Sequence, residues 1–408
     1  MSEPADRGLR GGAAYAMNTA SFGLYITAQQ LLALPIIASS WGAQDFSLTV
    51  LYISIYAVVT NVFGEELGNV VAVRRRAYEK GKIPYAGDVG RLLISGLLVV
   101  LILTTFVSIF GAGFATHSDH IVYLPALMVL GLLRTFGLTI LRAYGRFDII
   151  LALNFIYAIG LTIGLATMQL LGSPLWAFLL ADAITTILLF GLCLRAKKQY
   201  TFSTSRLYRD TRKAYWGFAF VALVGNGSVY LDRLIILPLL GATAVATYFA
   251  ASSLAKTVAL LINPLAGVLL SRYASMPTSA GTTEKRRLLR LTPLVIVAAT
   301  VAAYVVSRLG VSVLYPTYAP LADDIYLPAS VAAGFTVAAT TLRPALMRFF
   351  AARWLVSSNM GYGLTLLLGV AALLPYGLIG FAWAVAFSRI LQVSAYCLAL
   401  ASADVATD

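Results

Sequence analysis

The chain is short of charge. Asp, Glu, Lys and Arg make up only 12% of its 408 residues, about half their share in ordinary soluble domains. Histidine and cysteine number two each, too few for a disulfide framework or a cysteine–histidine metal cluster. Cys193 and Cys397 also lie within apolar runs. His117 and His120 stand three apart beside Asp119 and read as a solvated loop rather than metal ligands. No GxxxxGK[ST] phosphate loop occurs, so ATP is not the expected fuel, and no cofactor or metal is expected. What fills the chain is apolar: 60% is AVILMFWYC and the mean hydropathy is +0.84. A water-soluble fold cannot hide so much apolar surface. Lipid is therefore the main solvent.

The 30 basic residues outnumber 17 acids, a formal charge of +13. In a soluble protein that balance would point to nucleic acid. Cytoplasmic loops of membrane proteins gather Lys and Arg for a different reason, so no nucleic-acid partner is implied.

A helix needs about 20 apolar residues to cross the hydrocarbon core. Windows of that length give twelve spans, at about 13–39, 46–72, 90–113, 121–145, 147–171, 174–195, 215–239, 243–273, 291–314, 325–350, 353–375 and 377–401. The apolar stretch after the polar Met1–Arg10 is too long for a cleavable signal, so the first helix is expected to be retained. The fold class that follows is an all-α integral membrane protein.

The loops alternate in charge. Arg74, Arg75, Arg76, Lys80, Lys82 and Arg91 lie between spans 2 and 3. Seven basic residues from Arg195 to Lys213 lie between spans 6 and 7, and Arg272, Lys285, Arg286, Arg287 and Arg290 between spans 8 and 9. The short 4–5 and 10–11 turns carry Arg146 and Arg353. The loops on the other side, such as Ser40–Asp45, Phe114–His120 and Tyr315–Asp324, contain no Lys or Arg. An excess of Lys and Arg marks the cytoplasmic side, so both termini are expected there. Residues 1–198 then form one six-helix bundle, 199–214 a basic linker and 215–408 a second bundle.

The two halves resemble each other. Leu32-Ala33-Leu34-Pro35-Ile36-Ile37 is matched in character by Ile235-Ile236-Leu237-Pro238-Leu239-Leu240, and Leu141-Arg142 by Leu342-Arg343. Both halves start on the same side, so the repeat is parallel, about a pseudo-two-fold axis along the membrane normal. Such halves place substrate between them and alternate access by rocking.

Tyr230-Leu231-Asp232-Arg233-Leu234-Ile235-Ile236-Leu237-Pro238-Leu239-Leu240-Gly241-Ala242, with Tyr248–Lys256 and Asn263–Leu270, resembles the seventh and eighth helices of the polysaccharide (Wzx-type) flippases. Asn18, Pro35 and Gly64-Glu65-Glu66-Leu67-Gly68-Asn69 fit the same pattern. These flippases belong to the multidrug/oligosaccharidyl-lipid/polysaccharide exporter superfamily. The resemblance implies twelve spans in two bundles in a bacterial inner membrane. It also implies transfer of an undecaprenyl-diphosphate-linked oligosaccharide from the inner to the outer leaflet, for cell-surface polysaccharide assembly. Membrane lipids, a coupling H+ or Na+, and polymerase or glycosyltransferase partners belong to that expectation.

Charge within the membrane costs about 2.5–3.5 kcal/mol on the insertion scale, so it faces a cavity or a partner. Arg134, Arg233, Lys256, Arg308 and Arg389 lie within spans, against Asp182 and Asp232. Arg142, Arg343 and Arg348 lie nearer the inner ends. A diphosphate suits such a surplus, because guanidinium forks bind its oxygens in bidentate fashion. Arg134, Arg142, Arg233, Lys256, Arg343 and Arg348 are the candidate cationic cleft. Asp232 is either a coupling site or a clamp for an arginine of the facing half. Glu65 and Glu66 are candidate gate residues against Arg272 or Arg343. Gly160 and Gly164 form a GxxxG, the pattern of close helix packing. Aromatics near helix ends, such as Trp41, Tyr123, Trp176, Trp216 and Trp383, fit an interface belt.

Two further readings stay open. A cation-coupled multidrug or metabolite exporter shares the superfamily, although cationic drugs favour an acidic cavity. A membrane glycan polymerase or acyltransferase needs nucleophile or acid–base residues on a sizeable outer loop, and every outer loop here is short; no catalytic residue is assigned.

Reporter fusions test the topology. Fusions after Gly81, Thr204 and Gly281 should read cytoplasmic, and fusions after Gly42, His117 and Ala319 external. One reproducible inversion would overturn the twelve-span arrangement.

Overall fold

The computed structural model describes residues 16–81, 86–111, 120–195, 204–274, 281–349 and 353–402. Ten stretches among them are long and apolar enough to span a membrane. Two of the ten hold two spans each. Tyr208–Ala259 bends where Gly241 leaves helical geometry at φ +82°, and Ser357–Ala401 is broken by the 3-10 turn Leu374–Tyr376 and by Gly377 at φ +63°. Both bends need a positive φ that glycine adopts without a Cβ penalty. The protein is thus a twelve-helix, all-α, multi-pass membrane protein.

The helices are α1 (Ala16–Ser40), α2 (Ala43–Val59, Thr60–Glu65 and Glu66–Gly81), α3 (Ala86–Gly111), α4 (His120–Ala143), α5 (Phe147–Thr167) and α6 (Leu175–Arg195). Next come α7 (208–240) and α8 (242–274), which meet at Gly241. The last four are α9 (Gly281–Leu314), α10 (Tyr326–Phe349), α11 (Arg353–Leu373) and α12 (Gly377–Ser402).

Several helices outrun their apolar spans. Arg74, Arg75, Arg76 and Lys80 lie on the last turns of α2, and Lys285, Arg286, Arg287 and Arg290 on the first turns of α9. Helix continues there because Lys and Arg are good helix formers once the membrane no longer excludes them. Much of the basic belt is therefore helical rather than looped. Widened π-turns interrupt α1 at Thr27–Ala33 and α2 at Thr60–Glu65. In α1 the Leu34 N–H donates to Gln29 O, five residues back. Pro35 follows at once and lacks an N–H of its own, so the widened turn absorbs the lost bond.

The chain divides into two compact units, Met1–Gly227 and Ser228–Asp408. The division falls inside α7, whose beginning is fastened to the first unit. Tyr215 there donates to Phe63 O at 3.2 Å, and Trp216 sets its ring edgewise to Phe63 at 6.2 Å.

In the first unit α4 packs against α2, α3 and α6, and α5 against α6. Gly160 and Gly164 of α5 face Ala181 and Ala177 of α6. A Cβ on Gly164 would stand 2.5 Å from Ala177 Cα, so the close approach requires glycine. In the second unit α8, α9 and α10 meet along a seam of small side chains. Ala255, Ala303 and Ala333 cluster together, Ala259 meets Ala299 and Val337, and Ser307 donates to Ala251 O at 3.2 Å. The outer faces carry large apolar side chains such as Ile102, Phe106, Val313 and Leu398, each more than half exposed. That is the surface lipid covers.

Candidate functional site

Each unit holds a buried carboxylate within its spans, answered by a basic side chain and a tyrosine. In the first unit Arg134 of α4 meets Asp182 of α6, Nε to Oδ1 at 2.7 Å, with the two side chains 4% and 0% exposed. Tyr56 of α2 donates to the other carboxylate oxygen at 2.7 Å. The guanidinium lies over the rings of Tyr25 in α1 and Tyr157 in α5, 4.7 and 4.4 Å from their centroids. Asn154 of α5 accepts from Arg134 at 3.4 Å and donates to Ser21 Oγ at 2.8 Å. Gln29, from the π-turn of α1, donates to Tyr157 Oη at 2.8 Å. Gly131, one turn before Arg134, leaves the space that the Tyr56 ring fills. Five helices are tied to a single charge pair. Arginine does not lose its proton in proteins, so the guanidinium side of this buried pair stays charged.

The second unit is built differently. Asp232 of α7 is 1% exposed. It accepts from Lys256 Nζ of α8 at 2.6 Å and from Tyr248 Oη at 2.9 Å. The Arg233 backbone N–H donates to its other oxygen at 3.0 Å. Arg233 and Asp232 are adjacent on one helix and so diverge by about 100°. The Arg233 guanidinium accordingly lies near Phe249, 4.7 Å from the ring centroid, and near Tyr230 at 5.6 Å. Arg389 of α12 sits over Tyr362 at 3.7 Å and donates to Gln392, which donates in turn to Asn359 of α11. Asp232 is thus answered by Lys256 and Tyr248, with Arg233 beside it in the chain. The Lys256 side chain keeps 22% exposure while its partner keeps 1%, and a lysine can give up its proton where arginine cannot.

The other expected residues lie apart from these clusters. Arg142 pairs with Glu65 at 3.1 Å, both partly exposed, and Asn69 donates to Glu66 at 3.1 Å. Glu65 is thus paired with an arginine of its own unit. Arg343 is exposed, and the side chains of Arg272 and Arg348 lie outside the described residues. His117 and the side chain of His120 lie outside them as well. Arg308 donates to Tyr304 Oη at 3.0 Å on an exposed face. Among the described residues no three His, Cys, Asp or Glu side chains are grouped to hold a metal.

The tyrosines are what sequence reasoning missed. No site role falls to them by sequence, yet they include many of the largest fully buried side chains, Tyr157, Tyr248 and Tyr362 among them. A signal was present. Asn154 and Tyr157 share a face of α5 at i,i+3, and Tyr248 stands eight residues, about two turns, before Lys256.

No family model and no curated protein matches the chain. Solved structures do. The fold is similar to that of a lipid II flippase, MurJ, in an inward closed conformation, with TM-score 0.60 and 13% identity over 97% of this chain and 87% of that one. It is similar to an outward-facing multidrug resistance MATE family transporter of the MOP superfamily, with TM-score 0.63 and 14% identity over 95% and 94%. A MOP superfamily transporter from Pyrococcus furiosus, described by a reverse polarity of its binding pocket, aligns with TM-score 0.62 and 14% identity over 96% of each chain. These three neighbours are described as one flippase and two transporters. The chain has the fold of the MOP-superfamily transporters.

Removing one partner of a buried pair strands the other charge, at a cost of roughly 3–5 kcal/mol. Arg134→Gln should therefore lower the unfolding midpoint of the purified protein sharply, and Arg134→Gln/Asp182→Asn should recover most of the loss. A single variant as stable as wild type would refute the brace.

Proposed function

We propose that the protein flips undecaprenyl-diphosphate-linked oligosaccharide from the inner to the outer leaflet of a bacterial inner membrane by alternating access of two six-helix halves. The observation that carries this reading is the second-unit cluster in which the buried Asp232 accepts from Lys256 Nζ at 2.6 Å, with Arg233 next to it in the chain. Cationic side chains gathered at one place within the membrane favour an anionic head. A diphosphate offers several oxygens to guanidinium and ammonium donors at once. Arg142, Arg343 and Arg348, nearer the inner ends of their helices, would meet the head as it enters, with Glu65 and Glu66 at that mouth. Both termini and the basic helix ends lie on the cytoplasmic side in this arrangement, and lipid-linked sugar polymerases or glycosyltransferases act next to it.

Coupling follows from an exchange of partners. When a phosphate oxygen takes Lys256, Asp232 loses its salt bridge inside the membrane. A bare carboxylate there is costly, so Asp232 takes up H+ or Na+ and releases it when the lysine returns. Arg134 has no such exchange open to it, because its pair is closed on both sides. A multidrug exporter is the second reading, favoured by the MATE-like fold. The cationic side chains of the cluster argue against cationic drugs as its cargo.

Deleting the gene should accumulate lipid-linked sugars, and the wild-type gene should clear them. Each charge-assisted contact is worth about 1.5–3 kcal/mol, so Lys256→Gln should clear them one to two orders of magnitude more slowly at equal membrane protein level. Asp232→Asn should retain binding but lose dependence on the ion gradient. Full clearance by Arg233→Gln/Lys256→Gln would sink the diphosphate reading and bring the exporter forward.

A further inference from the structure

The beginning of α7 carries a second basic feature, which starts 23 residues before Asp232 on the same helix and is unused by the transport cycle. A cavity of about 480 Å³ is lined by Arg209, Asp210, Arg212, Lys213 and Trp216, within the size range of small-molecule sites, about 300–1,000 Å³. Residues 209, 212, 213 and 216 follow i, i+3, i+4 and i+7 spacing, so they share one face of the helix. The opposite face is anchored. Thr211 and Tyr215 are buried, Tyr78 bonds Thr211 at 2.8 Å and donates to Asp88 at 2.8 Å, and Asp88 also accepts from the Ser205 N–H at 2.7 Å just ahead of the helix. The cationic face is thus held outward by bonds on its back. Its one carboxylate, Asp210, leaves two positive charges in excess, and the Asp210 carbonyl accepts from Arg74 at 3.4 Å.

The same stripe continues from charge to aromatic to aliphatic. Trp216 is 38% exposed, Phe220 59% and Leu223 47%. At 1.5 Å per residue, Arg209 to Leu223 covers about 21 Å, close to half of a bilayer about 40–45 Å thick with its headgroups. Cations, an interfacial Trp and then apolar side chains, in that order over one leaflet, match the order of groups along a phospholipid. We propose that this face binds a single anionic phospholipid, its phosphate among Arg209, Arg212 and Lys213 and its chains along Phe220 and Leu223. A free phosphate shares the headgroup chemistry but has no use for the apolar end of the stripe.

Native mass spectrometry of the full-length protein in detergent tests this with phosphatidylglycerol and phosphatidylcholine of equal chain length. Wild type should retain one phosphatidylglycerol in preference to phosphatidylcholine, and Arg209→Gln/Arg212→Gln/Lys213→Gln should hold it about tenfold or more weakly. These side chains are exposed, and an unchanged elution profile will show that the variant is folded. Arg286→Gln/Arg287→Gln/Arg290→Gln, which removes as much exposed charge from α9, should retain phosphatidylglycerol as wild type does. Inorganic phosphate should fail to displace the lipid. Equal retention by the α7 variant, equal loss in the α9 variant, or displacement by inorganic phosphate would each overturn the proposal.

Discussion

A charge inside a membrane must be answered within reach of its own side chain, because no water is there to answer it. That constraint shapes both units. In the first, the answer to Arg134 recruits a carboxylate, a phenol, two aromatic faces and an amide from four other helices. Helices in lipid gain little from burying apolar surface against one another. A shared polar centre and close glycine contacts, such as Gly164 on Ala177, therefore do much of the holding. The brace specifies which helices meet.

The second unit meets the same constraint with a weaker commitment. Lysine replaces arginine, and the lysine stays partly accessible. The difference is one of chemistry more than of position. A fully buried pair resists change, whereas a lysine that keeps part of its exposure can change partners. Rigidity in one half and exchange in the other is an arrangement that suits a transporter whose cycle turns on a charged cargo.

Much of the fold was legible because lipid makes hydropathy a strong signal. All twelve windows correspond to helices, and Gly241 and Gly377 mark turns inside stretches that are otherwise continuously helical. The ends were less legible. The basic residues after Val73 and before Leu291 read as loop, yet Lys and Arg extend a helix as readily as they flank one. The site was only partly legible. Counting charges by depth left an excess of cations, but a count cannot pair Arg134 with an acid 48 residues away or Lys256 with one 24 away. The repeat held a clue: Gln29 and Asp232 both stand six residues before a proline, and both proved to be hydrogen-bonded within their own unit, to Tyr157 and to Lys256. Tyrosine was the least legible of all, since the same side chain serves an interface and a buried carboxylate equally well.

The central claim is that cationic side chains of the second unit select a diphosphate head. Leaflet transfer by the purified protein in liposomes addresses it directly, with two polyprenyl lipids that carry the same sugar through a diphosphate or through a neutral ether. Transfer of the diphosphate lipid, with the neutral lipid left at the protein-free rate, is the predicted result. Equal transfer of both, or transfer of the neutral lipid alone, would contradict it.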